Sequence, residues 1–186
     1  NSPDVHSCWT LADARSIMHK ATKGKRVLQM GAGFIGCIIM ESLAARGVQL
    51  TVVEMGDRMV PRMMGPTAGG MIKDWCESRG VCVLTGTQVL AIEPGSPLRV
   101  KLSSGDVLDS DLVISATGVK PNIGFLQGSG IQTQTGVLTD EHMQTSTPHV
   151  YAAGDCAQAL DLPSGKTVVS AIQPNAADQA RIAAQN

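Results

Sequence analysis

Three glycines and one glutamate have the types and spacing of a nucleotide-binding turn. Gly31, Gly33 and Gly36 follow the mostly apolar residues 27–30 in a G-x-G-x-x-G pattern, and an apolar helical pattern resumes directly after them. Such a pattern indicates a dinucleotide site only where a strand precedes it and a helix follows it, which is the context here. A plain glycine-rich strand-to-helix turn is the alternative. The next β-branched run ends in Glu54, at the place of a ribose-binding acid.

Each glycine of the turn has its own task in binding a pyrophosphate. The first allows a tight exit from the strand, the second lets the phosphates approach the backbone, and the third lets the helix pack closely on the sheet. The amino end of the helix offers free N–H groups and a partial positive charge. We therefore assign the whole turn to cofactor binding: Gly31, Ala32, Gly33, Phe34, Ile35 and Gly36.

The charges after the second strand favour NAD(H) over NADP(H). The Glu54 carboxylate would accept hydrogen bonds from ribose hydroxyls and would repel a 2′-phosphate. Arg58 and Arg62 in the following loop leave alternatives open, because they could be solvated loop charges, flank the adenine, or bind a phosphate. Both stay in the set of candidate cofactor-binding residues.

Composition excludes several other classes of function. The net charge is −1 and 3% of residues are aromatic, so we expect no nucleic-acid partner. No apolar run approaches the roughly 18 residues that span a bilayer, so we expect no membrane partner. Five cysteines without C-x-x-C spacing and four scattered histidines predict no disulfide, no redox dithiol and no metal site. Reduced thiols favour a cytoplasmic protein.

The turn requires a βαβ unit to position it. The pattern predicts parallel strands over residues 25–30 and 49–54 with a helix between them, which is about the 30 residues typical of this unit. Thr10 and Asp13 resemble a capping box, which predicts a preceding helix that runs to about Lys23 and stops at Gly24.

The remaining predicted elements no longer alternate regularly between strand and helix. After the βαβ unit we predict a helix, a third strand and then an antiparallel meander, inserted where a helix would otherwise cross: residues 67–79, 81–84, 88–93, 98–102 and 107–108. We then predict a buried parallel strand, three short strands and an alanine-rich helix: residues 112–115, 136–140, 144–147, 150–153 and 174–184.

Three motifs in this order resemble the FAD-dependent pyridine nucleotide oxidoreductases of the glutathione-reductase superfamily. They are the glycine turn with Glu54, the stretch Ala116-Thr117-Gly118-Val119-Lys120-Pro121-Asn122, and the stretch Thr147-Pro148-His149-Val150-Tyr151-Ala152-Ala153-Gly154-Asp155. The likeness is greatest to the NADH-dependent members without a redox dithiol, namely the flavin module of nitrite reductase and the rubredoxin and ferredoxin reductases. It extends over nearly the whole chain.

The resemblance implies an α/β fold of two Rossmann-like parts. Residues 1–24 would be a lead-in helix of the FAD-type domain. Residues 25–144 would be the NAD(H)-binding domain with its inserted meander, and residues 145–186 the incomplete C-terminal part of the FAD-binding domain. An earlier glycine fingerprint for FAD would lie upstream, so the chain is expected to be a fragment that is inactive alone.

The resemblance also implies a role for residues far from the glycine turn. Asp155, with Gly154, would bind the ribitol and pyrophosphate region of FAD, although Gly-Asp is also ordinary turn chemistry. The helix that begins at Pro174 would point its amino end toward the flavin ring. Gly118 and Pro121 would belong to the segment that links the two domains under the nicotinamide. Ala116, Thr117 and Gly118 are candidate cofactor-binding residues. Many relatives carry a glutamate where this chain has Ile38, which puts the placement of the nicotinamide in question.

These implications define an expected function. The full-length parent would be an NAD(P)H:acceptor flavin oxidoreductase that passes a hydride from NADH to FAD and electrons onward to an acceptor protein or redox centre. No side chain is assigned as catalytic, and the parent is expected to form a homodimer. The alternatives are a free-standing NAD(H)-binding or sensing domain without catalysis, and another Rossmann protein such as a methyltransferase. The meander and the Gly-Asp segment disfavour the methyltransferase.

Overall fold

The computed structural model describes residues 2–186, which form two compact units. The first unit ends at Gly118, and the second runs from Val119 to Asn186. None of the helices within residues 2–186 is long and apolar enough to cross a bilayer.

The first unit is built around a parallel sheet of five strands. Its helices are α1 Leu11–Lys20, α2 Phe34–Ala45 and α3 Pro66–Ser78. Its strands are β1 Val5–Ser7, β2 Arg26–Met30, β3 Gln49–Val53, β4 Cys82–Leu84, β5 Val89–Glu93, β6 Leu98–Leu102, β7 Val107–Ser110 and β8 Leu112–Ser115. The parallel sheet has the order β1-β8-β2-β3-β4, and β5, β6 and β7 form a separate antiparallel meander.

The parallel sheet is covered on both faces. One buried cluster joins side chains of α1, α2 and α3 to the sheet, and the other joins the meander to it. Val27 of β2 belongs to the helix-side cluster and Leu28 to the meander-side cluster. Because successive side chains of a strand point to opposite faces, this central strand is apolar on both sides. The predicted α/β class with an inserted meander is confirmed.

The first helix begins as predicted but ends earlier. Thr10 Oγ1 accepts from Asp13 N–H at 3.1 Å, and the Asp13 carboxylate accepts from Thr10 N–H at 2.9 Å, which is the expected capping box. The helix ends at Lys20 and not near Gly24. Its last carbonyls are taken by the Arg46 guanidinium, which donates to Ala21 and Met18, so no further helical turn is needed to satisfy them.

An ion pair fastens the beginning of β2 to the beginning of β8. Arg26 donates to the Asp111 carboxylate through its side chain at 3.0 Å and its backbone N–H at 2.9 Å. The side-chain hydrogen bond from Arg26, followed by the backbone hydrogen bond, lowers the pKa of Asp111 to about 2. The folded chain therefore stabilises the ionised form of Asp111 relative to its protonated form.

We expect Asp111→Asn to lower the free energy of unfolding by about 1 kcal/mol at pH 7, because part of the ion pair is screened by solvent. A depressed folded-state pKa contributes stability above the unfolded pKa of about 3.9, and this is lost as the pH falls toward 2. Urea unfolding at pH 7 and pH 3 should therefore show a smaller difference for the variant than for the wild type. Asp74→Asn, at an exposed site of α3, should leave that difference unchanged.

The second unit is smaller and mostly irregular. Its elements are β9 Val137–Leu138, β10 Ala157–Asp161, β11 Lys166–Val168, α4 Gln173–Gln185 and two single 3-10 turns, Gly124–Leu126 and Gly154–Cys156. The sheet order is β11-β10-β9, with β10 parallel to β9 and antiparallel to β11. The terminal helix is found where the sequence predicts it.

Two predicted strands of this unit are wrong. Residues 144–147 and 150–153 form only one isolated bridge, between Gln144 and Tyr151. The strand lies after the Gly-Asp pair, in β10, whose second residue, Gln158, is buried. Its side-chain amide makes hydrogen bonds to the backbone of Thr135 and Gly136, so this polar residue suits a buried strand.

The assignment of residues 1–24, 25–144 and 145–186 to cofactor domains stays a prediction. Packing divides the chain after Gly118, and β1 pairs with β8 in the parallel sheet of the first unit. Packing units and cofactor-binding domains are different divisions of the chain.

Candidate dinucleotide-binding site

The glycine turn lies where the strand order of the sheet reverses. From β2 the chain moves outward through β3 to β4, and it then returns through the meander to β8 on the other side of β2. In open α/β sheets, ligands bind outside the carboxyl ends of the strands at such a switch point. Residues 31–36 follow β2 and residues 116–118 follow β8, so two predicted segments meet at this edge.

The two segments touch through their backbones. Ala116 N–H donates to Met30 C=O at 2.7 Å. A Cβ placed on Gly31 would lie 2.5 Å from the Ala116 oxygen, and the φ of Gly31 is +95°. A Cβ on Gly36 would lie 2.5 Å from the Gly31 oxygen. Only glycine therefore permits this close approach of strand, turn and helix.

All the backbone polar groups of Gly31 and Ala32 are tied inward. Gly31 donates its N–H to Val53 C=O at 2.8 Å, and Val60 N–H donates to Ala32 C=O at 2.9 Å. The other two groups bond to side chains: Gln29 Nε2 donates to Gly31 C=O at 2.9 Å, and Ala32 N–H donates to Glu54 Oε2 at 2.7 Å. The first half of the turn is held rigidly and offers no donor to a ligand.

The second half of the turn has free backbone donors. The backbone N–H groups of residues 33–36 make no hydrogen bond within the described residues 2–186. Gly33 caps α2 and has no side chain to cover them, and a Cβ placed there would meet nothing within 4 Å. Open backbone, free donors and the positive pole of a 12-residue helix are the features that hold a pyrophosphate. The residues present fit a dinucleotide.

Glu54 is part of the structure of the turn as well as a candidate ribose ligand. Its side chain is buried, and its second oxygen accepts from Gly56 N–H at 2.7 Å. Both carboxylate oxygens therefore bond to backbone N–H groups, and each keeps a second lone pair for another donor. The predicted role in ribose binding stays a prediction.

The two arginines of the loop have different surroundings. Arg58 is held by its own loop, because its guanidinium donates to Met64 C=O at 2.8 Å and pairs with Asp57 at 2.7 Å. Arg62 is exposed and makes no hydrogen bond within the part of the chain that the structure describes. Of the two, Arg62 alone is free to bind a phosphate or flank an adenine.

Two residues at the turn were not identified from the sequence. Gln29 had a visible signal, because it is a polar residue between the apolar residues Leu28 and Met30 of the strand. Val60 had no signal in the sequence. It is buried with a φ of +49°, a conformation that is strained for a β-branched residue. Its N–H reaches Ala32 from this conformation.

The second unit brings together the residues that the resemblance assigned to FAD. Gly154 N–H donates to Gln179 Oε1 of α4 at 2.8 Å, and Gly154 lies against Ala176 in the first turn of that helix. Asp155 is exposed, and Pro174 occupies the first turn of α4. The amino end of α4 has no side-chain cap. The exposed carboxylate fits the hydroxyl groups of a flavin nucleotide, and the uncapped helix amino end fits negative charge on it.

The thiols of the chain are not arranged for disulfide chemistry. All five cysteines, which lie within residues 2–186, are free. Burial raises the pKa of the Cys8, Cys37 and Cys76 thiols, so these three are protonated and weakly nucleophilic at neutral pH. Within the described residues, no group of three His, Cys, Asp or Glu side chains could hold a metal ion.

The strand order and the turn define the first unit as a Rossmann-type dinucleotide-binding unit. The family model described as pyridine nucleotide-disulphide oxidoreductase matches residues 2–181, and the chain belongs to this family. The recognition made from the three motifs is thereby confirmed.

Individual relatives match nearly the whole chain. It is 35% identical over 179 residues to the epsilon subunit of an NADH-dependent phenylglyoxylate dehydrogenase from Aromatoleum evansii, covering 96% of this chain and 42% of that subunit. It is 33% identical to a rubredoxin-NAD(+) reductase from Acinetobacter baylyi, covering 84% and 41% respectively.

A solved structure has the same fold. The chain superposes on a crystal structure of a covalent putidaredoxin reductase–putidaredoxin complex with a TM-score of 0.92 and 29% identity, covering 98% of this chain and 45% of that one. The chain spans about two fifths of the length of the curated relatives named above.

Proposed function

We propose that the chain is the NADH-binding portion of a flavin-dependent oxidoreductase, in which a hydride passes from NADH to FAD and electrons then pass to an acceptor protein or redox centre. The cofactors supply the redox chemistry. The residues of this chain bind and orient them. The fragment alone is expected to be inactive.

One observation carries the proposal. The turn ties the polar groups of Gly31 and Ala32 inward and leaves the N–H groups of residues 33–36 free at the switch point of the sheet. This arrangement suits an anionic pyrophosphate and has no other partner in residues 2–186. The two named relatives are called NADH-dependent and NAD(+)-linked, which supports NAD(H) as the nucleotide.

The arginines and the acid support NAD(H) over NADP(H). Arg58 is occupied within its loop, so it is poorly placed to bind a 2′-phosphate. Glu54 would repel that phosphate. The proposed contacts to the nucleotide come from residues 31–36, Glu54 and residues 116–118, with Arg62 as a flanking charge.

FAD, the acceptor and the assembly belong to the same proposal. Gly154, Asp155 and the start of α4 at Pro174 would contribute to an FAD site that other parts of the full-length protein complete. A protein acceptor is favoured because one relative is named for rubredoxin and one solved structure is a complex with putidaredoxin. We further propose a cytoplasmic location, on the number and spacing of the cysteines, and a homodimer for the full-length protein.

Substitution of Gly33 tests the pyrophosphate site. Gly33→Ala should leave folding intact, because a Cβ there meets no atom within 4 Å and its φ of −74° suits any residue. It should weaken NADH binding at least about tenfold, since the added methyl group occupies the space of the phosphates. Isothermal titration with NADH measures the change.

Gly70 provides the matched control. It lies inside α3, and a Cβ on it also meets nothing within 4 Å. Gly70→Ala should stabilise the helix by up to about 1 kcal/mol and leave NADH binding unchanged. Equal NADH affinity for Gly33→Ala and the wild type would refute the site.

The alternative function is a free-standing NAD(H)-binding or sensing domain. It predicts the same response to Gly33→Ala, so a second measurement separates the two functions. Full-length protein purified from its source should carry FAD, and NADH should bleach the visible absorbance of this flavin under anaerobic conditions. A natural protein that binds NADH and holds no flavin would favour the sensing domain.

A further inference from the structure

Gln29 is a fully buried polar side chain at the centre of the sheet. Its residue exposure is 0%, and its neighbours along β2 are apolar. Alternation along the strand puts it on the same face as Val27, which the helices cover. An amide in this position must find its hydrogen-bond partners within the protein.

The Gln29 amide nitrogen joins the two ends of the glycine turn. It donates to Gly31 C=O at 2.9 Å and to Gly36 C=O at 3.0 Å. The first carbonyl belongs to the exit from β2 and the second to the first turn of α2. A Cβ on Gly36 would lie 3.0 Å from this nitrogen, so the amide occupies space that the third glycine leaves open.

Stability alone gives a poor account of this residue. Gln29 Oε1 is buried and has no hydrogen-bond partner within residues 2–186. Burying an acceptor without a partner is unfavourable, and an apolar side chain of similar shape would avoid that cost. A residue that breaks a rule of core packing is expected where function requires it. The amide holds the amino end of α2 at a fixed position relative to the end of β2.

We propose that Gln29 is a positioning residue for dinucleotide binding. The inference rests on the proposed function, because it assigns Gln29 to the same site. Gln29 touches no ligand. It holds Gly31 and Gly36 so that the N–H groups of residues 33–36 converge on the pyrophosphate before the ligand arrives. Donors fixed in advance lose less conformational freedom on binding, which raises affinity.

The test compares Gln29→Leu with the wild type by isothermal titration, well below the unfolding midpoint of each protein. Two ligands are used: NADH, and ADP-ribose, which keeps the pyrophosphate and lacks the nicotinamide. We expect both affinities to fall about tenfold. This factor corresponds to the net free energy of one to two hydrogen bonds. Equal affinities of variant and wild type for both ligands would overturn the proposal.

Gln158→Leu is the matched control. Gln158 is also a buried glutamine in a strand, but it lies in β10 of the second unit. Its replacement should lower the unfolding midpoint and leave NADH affinity unchanged. A wild type that shows no saturable binding of NADH would instead refute the proposed function, so the two failures are distinguishable.

A measurement on the wild-type chain keeps the inference testable if Gln29→Leu fails to fold. If the hydrogen bonds of Gln29 favour binding, then by thermodynamic linkage binding must favour those hydrogen bonds. The exchange of the Gln29 side-chain NH₂ protons with solvent, followed by NMR, should slow severalfold when NADH is added. Unchanged exchange at saturating NADH would show that the amide is only structural.

Discussion

Gly31→Ala is expected to abolish most dinucleotide binding and to destabilise the first unit. The new Cβ would lie 2.5 Å from the Ala116 oxygen, and both are held by backbone, so the end of β2 must move away from β8. Left-handed strain and overpacking together should cost about 3 kcal/mol in the free energy of unfolding. The displaced turn should lower NADH affinity by about 100-fold, which corresponds to about 2.8 kcal/mol of binding free energy.

Gly24→Ala separates strain from steric conflict. Gly24 has a φ of +81°, close to that of Gly31, but a Cβ on it would meet nothing within 4 Å. We expect it to cost about 1 kcal/mol and to leave NADH affinity unchanged. Urea unfolding and isothermal titration of both variants provide the comparison. Similar losses of NADH affinity in the two variants would show that the approach of Ala116 to the turn is unimportant.

Glu54→Gln should have the second largest effect on binding. Both carboxylate oxygens accept backbone N–H groups, from Ala32 and from Gly56, and glutamine can replace only one of these acceptors. The other N–H would face an NH₂ group and remain unsatisfied, at a cost of about 1–3 kcal/mol. The turn would loosen, and NADH affinity should fall at least about tenfold.

The same variant tests the choice of nucleotide. Removing the negative charge also removes its repulsion of a 2′-phosphate, so NADPH binding should fall less than NADH binding, and the ratio of their dissociation constants should approach one. Glu41→Gln, at an exposed site of α2, should change neither affinity. Unaltered discrimination in Glu54→Gln would remove this residue from the account of specificity.

The sequence was most informative where a local rule requires one residue type. The capping box of Thr10 and Asp13, the glycine turn and the meander are each set by side chains near in sequence, and all three are found. The turn was predicted in most detail, because close backbone contact permits only glycine at Gly31 and Gly36.

The errors and omissions arise from contacts between residues distant in sequence. The early end of α1 depends on Arg46, which takes its last carbonyls. The strand β10 contains Gln158, whose burial is acceptable because residues distant in sequence, among them Thr135 and Gly136, supply hydrogen-bond partners. The local pattern of apolar residues reveals neither the contacts of Arg46 nor the partners of Gln158.

Gln29 and Val60 were missed for the same reason. The role of Gln29 depends on two carbonyls on either side of the turn, and that of Val60 on the position of Ala32. The division of the chain after Gly118 is likewise a result of packing, including the pairing of β1 with β8.

Calorimetric titration of the wild-type chain with NADH and, separately, with NADPH tests whether the glycine turn and Glu54 form an NAD(H) site. Saturable binding is expected at one site per chain, with a lower dissociation constant for NADH than for NADPH. The free N–H groups of residues 33–36 would bind the pyrophosphate of either nucleotide, and Glu54 would disfavour the 2′-phosphate. Absence of saturable binding by either nucleotide would show that the turn is not a dinucleotide site, and binding of NADPH as tight as that of NADH would show that Glu54 does not select NAD(H).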